Sequence, residues 1–282
     1  MNFVRLAFAL LLAGLATVPA TARAAQSYDS CAGFIDSLPV VITSQGTWCL
    51  RKDLATAMTS GAAIEAKTNN VTIDCNNFKI GGLAAGDAST TYGIYSSNRQ
   101  NITVRNCNLR GFYGGVFLYK GAGHLIENNR VDNALSYGLF MLTDFSSSGV
   151  IRNNLVYATG GTPNNYMPLG ISGVADMIDN TVDGVFSTAA NAAPIGLDAM
   201  GPGTEIRGNR VRGLVASGTG QAIGLRMMAN GIIATGNRFT SQTTLQGIAI
   251  QGSGYAVCQD NVSSRYAQSF ISCQDAGGNT VN

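Results

Sequence analysis

A carboxylate and a guanidinium, Asp198 and Arg226, stand at the same place in two successive copies of a short repeat, Gly196-Leu-Asp-Ala199 and Gly224-Leu-Arg-Met227. If each copy is a strand of one parallel sheet, their Cα atoms lie about 5 Å apart. Such a pair can carry acid–base chemistry on an acidic sugar, or it can be a cross-strand ion pair with no chemical task. Hydrolysis of a glycosidic bond generally takes two facing carboxylates. Asp144 or Asp183 would supply the second only through the placement of a turn. The candidate catalytic residues are therefore Asp198, Arg226 and Asp144. Calcium wants six or more oxygen ligands, and this column offers Asp198 alone, so calcium is unsupported and no cofactor is expected. The single histidine, His124, follows Gly-Ala-Gly in a turn, which excludes zinc held by several imidazoles. A lone histidine in a turn is expected at the surface.

The copies of this repeat put aromatic rings where Asp198 and Arg226 stand. The outward column reads Glu65, Tyr95, Phe117, Phe140, Ser172, Asp198, Arg226, Ala249 and Ile271. A second outward column adds Tyr119, Leu142, Met200, Met228 and Gln251, and the turn after Tyr119 brings Lys120. Tyr95, Phe117, Tyr119, Phe140 and Lys120 are the candidate substrate-binding residues. An exposed apolar stripe of this kind usually marks an interface. It is either a platform for sugar rings or a face covered by a loop, by the N-terminal segment or by a second subunit. Long turns at Tyr157 to Leu169, Asp183 to Ala193 and Arg212 to Ala222 would wall the stripe near Asp198 and Arg226.

These side chains need a scaffold that repeats, and the sequence repeats throughout. The pattern apolar, x, polar, Asn, x, apolar occurs as Ile126-Glu-Asn-Asn-Arg-Val131, Ile151-Arg-Asn-Asn-Leu-Val156 and Ile206-Arg-Gly-Asn-Arg-Val211. Its fourth position is Asn76, Cys107, Asn129, Asn154, Asn180, Asn209, Asn237 and Asp260, recurring every 22 to 31 residues. Between copies lies a Gly-led segment such as Gly115-Val-Phe-Leu118 or Gly138-Leu-Phe-Met141. Period-2 alternation gives each strand one buried face. Stacked copies bury a core that no single copy could form. The repeating Asn is expected to tolerate a left-handed backbone at the bend and to bond its amide to the next copy. Outward on the Asn-bearing strand stand Asp74, Arg105, Glu127, Arg152, Ile178, Arg207, Thr235 and Cys258. The first four alternate in sign, and Arg110–Asp132 and Asp183–Arg212 extend the pattern past the bend. This is register-setting surface.

Residues 1–25 read as a secretory signal peptide: Arg5 in a short n-region, an apolar run from Leu6 to Leu15, and Ala22-Arg23-Ala24 as the cleavage site. Removing it leaves 16 basic against 16 acidic residues. A neutral surface with 12% charged residues argues against nucleic acid. All six cysteines lie beyond the signal, and an even count in an exported chain implies disulfides. Cys75 and Cys107 fall on adjacent copies, Cys31 and Cys49 flank the lead-in segment, and Cys258 and Cys273 close the last copy. A secreted or periplasmic location is expected, with no membrane span.

From Ala62 to Ser272 the copies resemble the β-helix repeat of the pectin-lyase-like superfamily, closest to its carbohydrate-binding/sugar-hydrolase and NosD-like repeats. The segment Leu38 to Leu50, leading into Asn70-Val-Thr-Ile-Asp-Cys75, is similar to the lead-in of such proteins. The resemblance implies an all-β, single-stranded right-handed parallel β-helix of about nine coils. Residues 26–61 would form the lead-in and cap, and residues 62–282 the solenoid. It also implies that the Gly-led strand floors the substrate groove. Lyases of the superfamily pair an Arg or Lys base with carboxylate-bound calcium, and its polygalacturonase-type hydrolases use three Asp. Neither set is complete here. The expected function is polysaccharide binding along the Gly-led strand, with lyase or hydrolase cleavage open. The alternative is a non-catalytic envelope or adhesion protein that presents the aromatic stripe to a protein partner or a second copy.

Overall fold

The computed structural model describes residues 28–144, 149–163 and 165–282, so the signal peptide assigned to residues 1–25 lies outside the described residues. Every strand pairing is parallel, and the strands join one 28-stranded sheet wound into about nine turns. One 3-10 turn, Leu83–Ala85, is the only helical element among the described residues. A typical turn has three sides: a Gly-led strand (Gly114–Ala122), an Asn-bearing strand (Leu125–Glu127) and a short strand (Arg130–Asp132). Each pairs with its equivalent one turn away. Parallel pairing starts at Cys31, where Cys31–Ile35 lies against Gly46–Leu50, so the lead-in segment is itself wound into the solenoid.

The core is three apolar columns, one per side. Ile64, Ile94, Val116, Leu139, Ile171, Leu197 and Leu225 stack beneath the Gly-led strands. Ile73, Val104, Ile126, Ile151, Met177 and Ile206 stack beneath the Asn-bearing ones. Ile80, Leu109, Val131, Val156, Val182 and Val211 fill the third side. All are closed to solvent. The Gly that leads each strand is required by close approach: a Cβ on Gly138 would sit 2.4 Å from the Gly170 carbonyl oxygen and 2.4 Å from Val156 Cγ1.

The Asn column forms a continuous hydrogen-bonded ladder. The Oδ1 of Asn154 accepts from both the backbone N–H and the side-chain amide of Asn129, at 2.9 and 3.1 Å. The same pair of bonds links Asn154 to Asn180, Asn180 to Asn209, Asn209 to Asn237, Asn237 to Asn261 and Asn261 to Asn279. Each amide also donates back to a backbone carbonyl, as Asn180 does to Ile151 at 2.8 Å. Two expectations are corrected. At Asn76 the repeating Asn is itself left-handed, at 48°, but along the ladder the left-handed residue is the one before the Asn: Asn128, Asn153 and Asp179 have φ of 54–55°, and Gly takes that place at 208 and 236. The ladder Asn is held by its side chain, and its predecessor makes the bend. In the last copy the rung is Asn261 rather than Asp260, a slip of one residue. Period 2 then reverses every side chain, so Cys258 points into the core and Gln259 takes the outward place beside Thr235.

The disulfides join Cys31 to Cys49, Cys75 to Cys107 and Cys258 to Cys273, with Cα separations of 5.9, 4.7 and 5.9 Å. Cys107 stands where the ladder would continue, and its N–H donates to Asn129 Oδ1 at 3.0 Å. The four ion pairs read from sign alternation are present: Arg105–Asp74, Arg152–Glu127, Arg110–Asp132 and Arg212–Asp183, at 2.7–3.2 Å.

Candidate functional site

The Gly-led strands set the outward column of the candidate site. Pairing brings Glu65, Tyr95, Phe117, Phe140, Ser172, Asp198 and Arg226 into line, one per turn. Beyond Arg226 the register differs from the expected one: Gln251, not Ala249, is its neighbour, and Ala249 is buried in the Gly column against Gly224.

Tyr95, Phe117, Tyr119 and Phe140 come together as expected, and all are partly exposed. Phe117 and Phe140 stack at 4.3 Å with 8° between planes. Tyr95 and Phe117 are 6.1 Å apart at 15°, and Phe117 and Tyr119 are 6.4 Å apart at 21°. Lys120 holds its ammonium 5.4 Å from the Tyr119 ring centroid. Three further rings join. Tyr92 lies 5.5 Å from Tyr95 and 4.6 Å from Phe117, and Tyr113 and Tyr137 pack edge-on against the cluster. Tyr92 and Tyr137 sit just before the leading Gly, and Gly114 stands there in the turn between them, where a Cβ would lie 3.0 Å from the Tyr92 ring. The dipeptide Tyr-Gly at 92–93 and 137–138 carried that signal. Burial pushes the Tyr92 hydroxyl up to about 12, helped by the nearby Tyr113, Tyr137 and Tyr95, and burial also raises Tyr137. Both phenols keep their protons at neutral pH and can donate them.

The stack ends at the turn holding Ala62 and Glu65. There a cleft of about 460 Å³ opens, lined by Gly61, Ala62, Glu65, Tyr92, Tyr95, Phe117 and Tyr119. Glu65 is bonded to Lys67 at 3.4 Å and forms a polar rim.

Asp198 and Arg226 meet further along the same column. Arg226 Nε donates to Asp198 Oδ1 at 2.7 Å, and Ser172 Oγ donates to Oδ2 at 3.0 Å. Asp198 is only 2% exposed, so both carboxylate oxygens are engaged beneath the surface. Arg226 also lies 3.5 Å from the sulfur of Met167, in the long turn expected to wall this region. Asp144 is exposed, on the turn leaving the Phe140 strand, and its carboxylate acts on the His124 imidazole. No group of three His, Cys, Asp or Glu suited to a metal occurs among the described residues.

His124 is not the surface residue its turn suggested. It is 2% exposed, its Nδ1 accepts the Ile102 N–H at 3.2 Å, and its Nε2 lies 3.2 Å from the Lys120 carbonyl. Burial lowers its pKa, opposed by the Lys120 carbonyl and by Asp144. The neutral ring, protonated at Nε2, satisfies both contacts and ties the Lys120 turn to the Asn-bearing strand.

The family model described as a right-handed beta helix region matches residues 53–192. The fold is a right-handed β-helix. No curated protein matches the chain. Among solved structures the β-helix is similar to the catalytic domain of a GH87 alpha-1,3-glucanase variant in complex with tetrasaccharides. Identity is 13% and the TM-score 0.32, over 83% of this chain and 63% of that one. A complex of the same kind of domain with nigerose matches at 12% identity and a TM-score of 0.26. The β-helix thus spans 63% of the length of the catalytic domains it matches.

Proposed function

We propose that this β-helix binds a polysaccharide on the outward face of its Gly-led strands, outside the cytoplasm. The observation that carries the reading is the seven-ring cluster of Tyr92, Tyr95, Tyr113, Phe117, Tyr119, Tyr137 and Phe140, which ends in an open cleft rimmed by Glu65. Apolar ring surface beside a few hydrogen-bonding groups is what a sugar, with its C–H faces and hydroxyl rim, requires. The three disulfides fit an oxidising compartment. Binding ranks ahead of cleavage. Asp198 is buried with its two oxygens taken by Arg226 and Ser172, so Asp198, Arg226 and Asp144 are the place to look for lyase or hydrolase activity rather than its demonstration.

The partner reading has its own support. Tyr166, Met167 and Met228 are exposed, and Met167 lies beside Arg226 on this face. One screen separates the readings. The mature protein is tested against a polysaccharide panel for retention, new reducing ends and unsaturated-uronate absorbance, alongside Phe117→Ala, Asp198→Ala and Arg226→Ala. Retention lost in Phe117→Ala and kept in the other two supports binding by the aromatic cluster. Cleavage lost in the Asp198 and Arg226 variants would establish an enzyme. No retention on any polymer, with a concentration-dependent dimer in ultracentrifugation, would replace the sugar reading with the partner one.

A further inference from the structure

The orientation of the rings restricts how a sugar can sit on them. Phe117 and Phe140 are parallel to within 8°, with centroids 4.3 Å apart. Two ring carbons in contact cannot approach much below about 3.5 Å, so most of the centroid separation lies along the ring normal. The residues are register partners on adjacent strands, and adjacent strands are displaced along the solenoid axis by about 4.8 Å. The ring normals therefore point along the axis, and the rings turn their edges, not their faces, to solvent. Within a strand Phe117 and Tyr119 lie side by side with planes 21° apart and Tyr92 and Tyr95 at 29°, whereas Tyr137 stands edge-on to Phe140 at 65°. Tyr95, Phe117, Tyr119 and Phe140 form a pile of layers perpendicular to the axis, with Tyr113 and Tyr137 edge-on beside it.

In such a pile the uncovered faces are at its end. Tyr92 and Tyr95 pair with Ala62 and Glu65 on the preceding turn, which carry no ring. Tyr119 pairs with Ser97, whose small side chain leaves a step beside Tyr95. The cleft opens over these rings.

We infer that the cleft takes one or two sugar rings as an added layer of the pile, so that a bound chain crosses the solenoid instead of lying along it. The inference rests on the polysaccharide reading above and makes it more specific. A pyranose that stacks its C–H face on Tyr95 has its mean plane perpendicular to the axis. An equatorially linked chain extends roughly in that plane, so it leaves the cleft sideways within one turn. Glu65, at the rim, accepts hydroxyl protons from the same layer. The site recognises a chain end, a branch or a single crossing segment, and further residues of the chain find no rings to stack on.

The test is affinity against chain length, measured by calorimetry with neutral hexose, N-acetylhexosamine and hexuronic acid oligosaccharides of one to six residues. Tyr95→Ala and Ala62→Phe are compared with the unmodified protein. Ala62→Phe puts a side chain into the space claimed for the ligand and leaves every existing ring in place. The inference expects affinity to level off by the trisaccharide and to fall at least about tenfold in both variants, with melting temperature unchanged in Ala62→Phe. Affinity that climbs about tenfold or more from trisaccharide to hexasaccharide would keep the polysaccharide reading and overturn the crossing chain. Binding unaffected by Ala62→Phe in a folded variant would place the sugar elsewhere on the protein and overturn it too. If no series binds, the polysaccharide reading itself falls and takes the inference with it.

Discussion

Asn180 is the rung on which the ladder can be tested most sharply, because it lies mid-solenoid and is fully buried. Its Oδ1 accepts the Asn154 backbone N–H and the Asn154 amide, both at 3.0 Å, and its own amide donates to Ile151 O at 2.8 Å and Asn209 Oδ1 at 3.1 Å. Asn180→Ala removes all four bonds at once. Asn154 keeps amide contacts to Ile126 and Arg152, and Asn209 Oδ1 still accepts the residue-180 N–H. The Asn154 N–H, however, is left buried without its acceptor, at about 1–3 kcal/mol, and the Ile151 carbonyl loses an amide worth about 1 kcal/mol. A total of roughly 2–4 kcal/mol follows. At about 2–4 °C per kcal/mol for a domain of this size, the melting temperature should drop by roughly 4–16 °C. Asn279→Ala is the control. It removes the same kind of rung at the partly exposed last turn, where water can replace the lost partners, and should cost under about 1 kcal/mol. Both are measured by calorimetry and urea unfolding of the disulfide-intact protein. If Asn180→Ala is within about 0.5 kcal/mol of the parent, or no worse than Asn279→Ala, the ladder does not hold the fold as argued.

His124 should make stability pH-dependent on the acid side. Its folded pKa lies below its unfolded value of about 6.5, so the stability tied to the neutral ring is present above that pH and is lost as pH falls toward the folded value. Stability should fall with falling pH in that window, with about 1.4 kcal/mol per pH unit as the ceiling for one proton, and the slope should flatten in His124→Gln, as read by unfolding between pH 7 and 5. Gly138→Ala should cost about 1–3 kcal/mol or more, since its methyl would overlap both the Gly170 carbonyl and Val156; thermal unfolding checks it. Replacing Cys75 and Cys107 together by Ala should cost roughly 3–4 kcal/mol for a loop spanning 32 residues, measured by urea unfolding. Asp198→Asn should weaken binding of neutral sugars less than twofold if that carboxylate only holds Arg226 and Ser172; titration of the parent and variant proteins decides.

The winding was legible because it depends on period and spacing, which a sequence displays. Alternation placed Asp74, Arg105, Glu127 and Arg152 outward, and their ion pairs formed in that order. The six cysteines paired as their positions in the copies required. Legibility failed where two registers fit equally well. Val257-Cys-Gln-Asp-Asn aligns with the pattern through either Asp260 or Asn261, and only the three-dimensional pairing of Cys258 with Ala234 decides. The Gly247 segment is displaced by two residues from the expected register, which keeps the same face outward and moves Gln251 beside Arg226. At the candidate site, the membership of the ring cluster could be read but the tilt of each ring could not. Side-chain torsions are set by neighbours such as Gly114, which makes room for Tyr92. His124 misled because its turn is polar and glycine-rich, whereas its imidazole is drawn inward by the Ile102 amide.

The ladder also bears on how such a chain could change length. Each rung asks one thing of the next turn, an Asn at the same corner, and nothing of turns farther away. A duplicated turn inserted anywhere from Asn129 to Asn261 would arrive with its own Asn and close both new junctions at once. The turns at either end of that stretch are different, being closed by Cys75–Cys107 and Cys258–Cys273, whose partners are unique. Genetic gain or loss of turns should thus be confined to the middle of the molecule, while the ends keep a fixed grammar. The ring cluster spans the boundary: the Tyr95 and Phe117 turns lie before the first rung, and the Phe140 turn follows it. The cleft sits on the constant side of that boundary, and the number of turns behind it is free to vary.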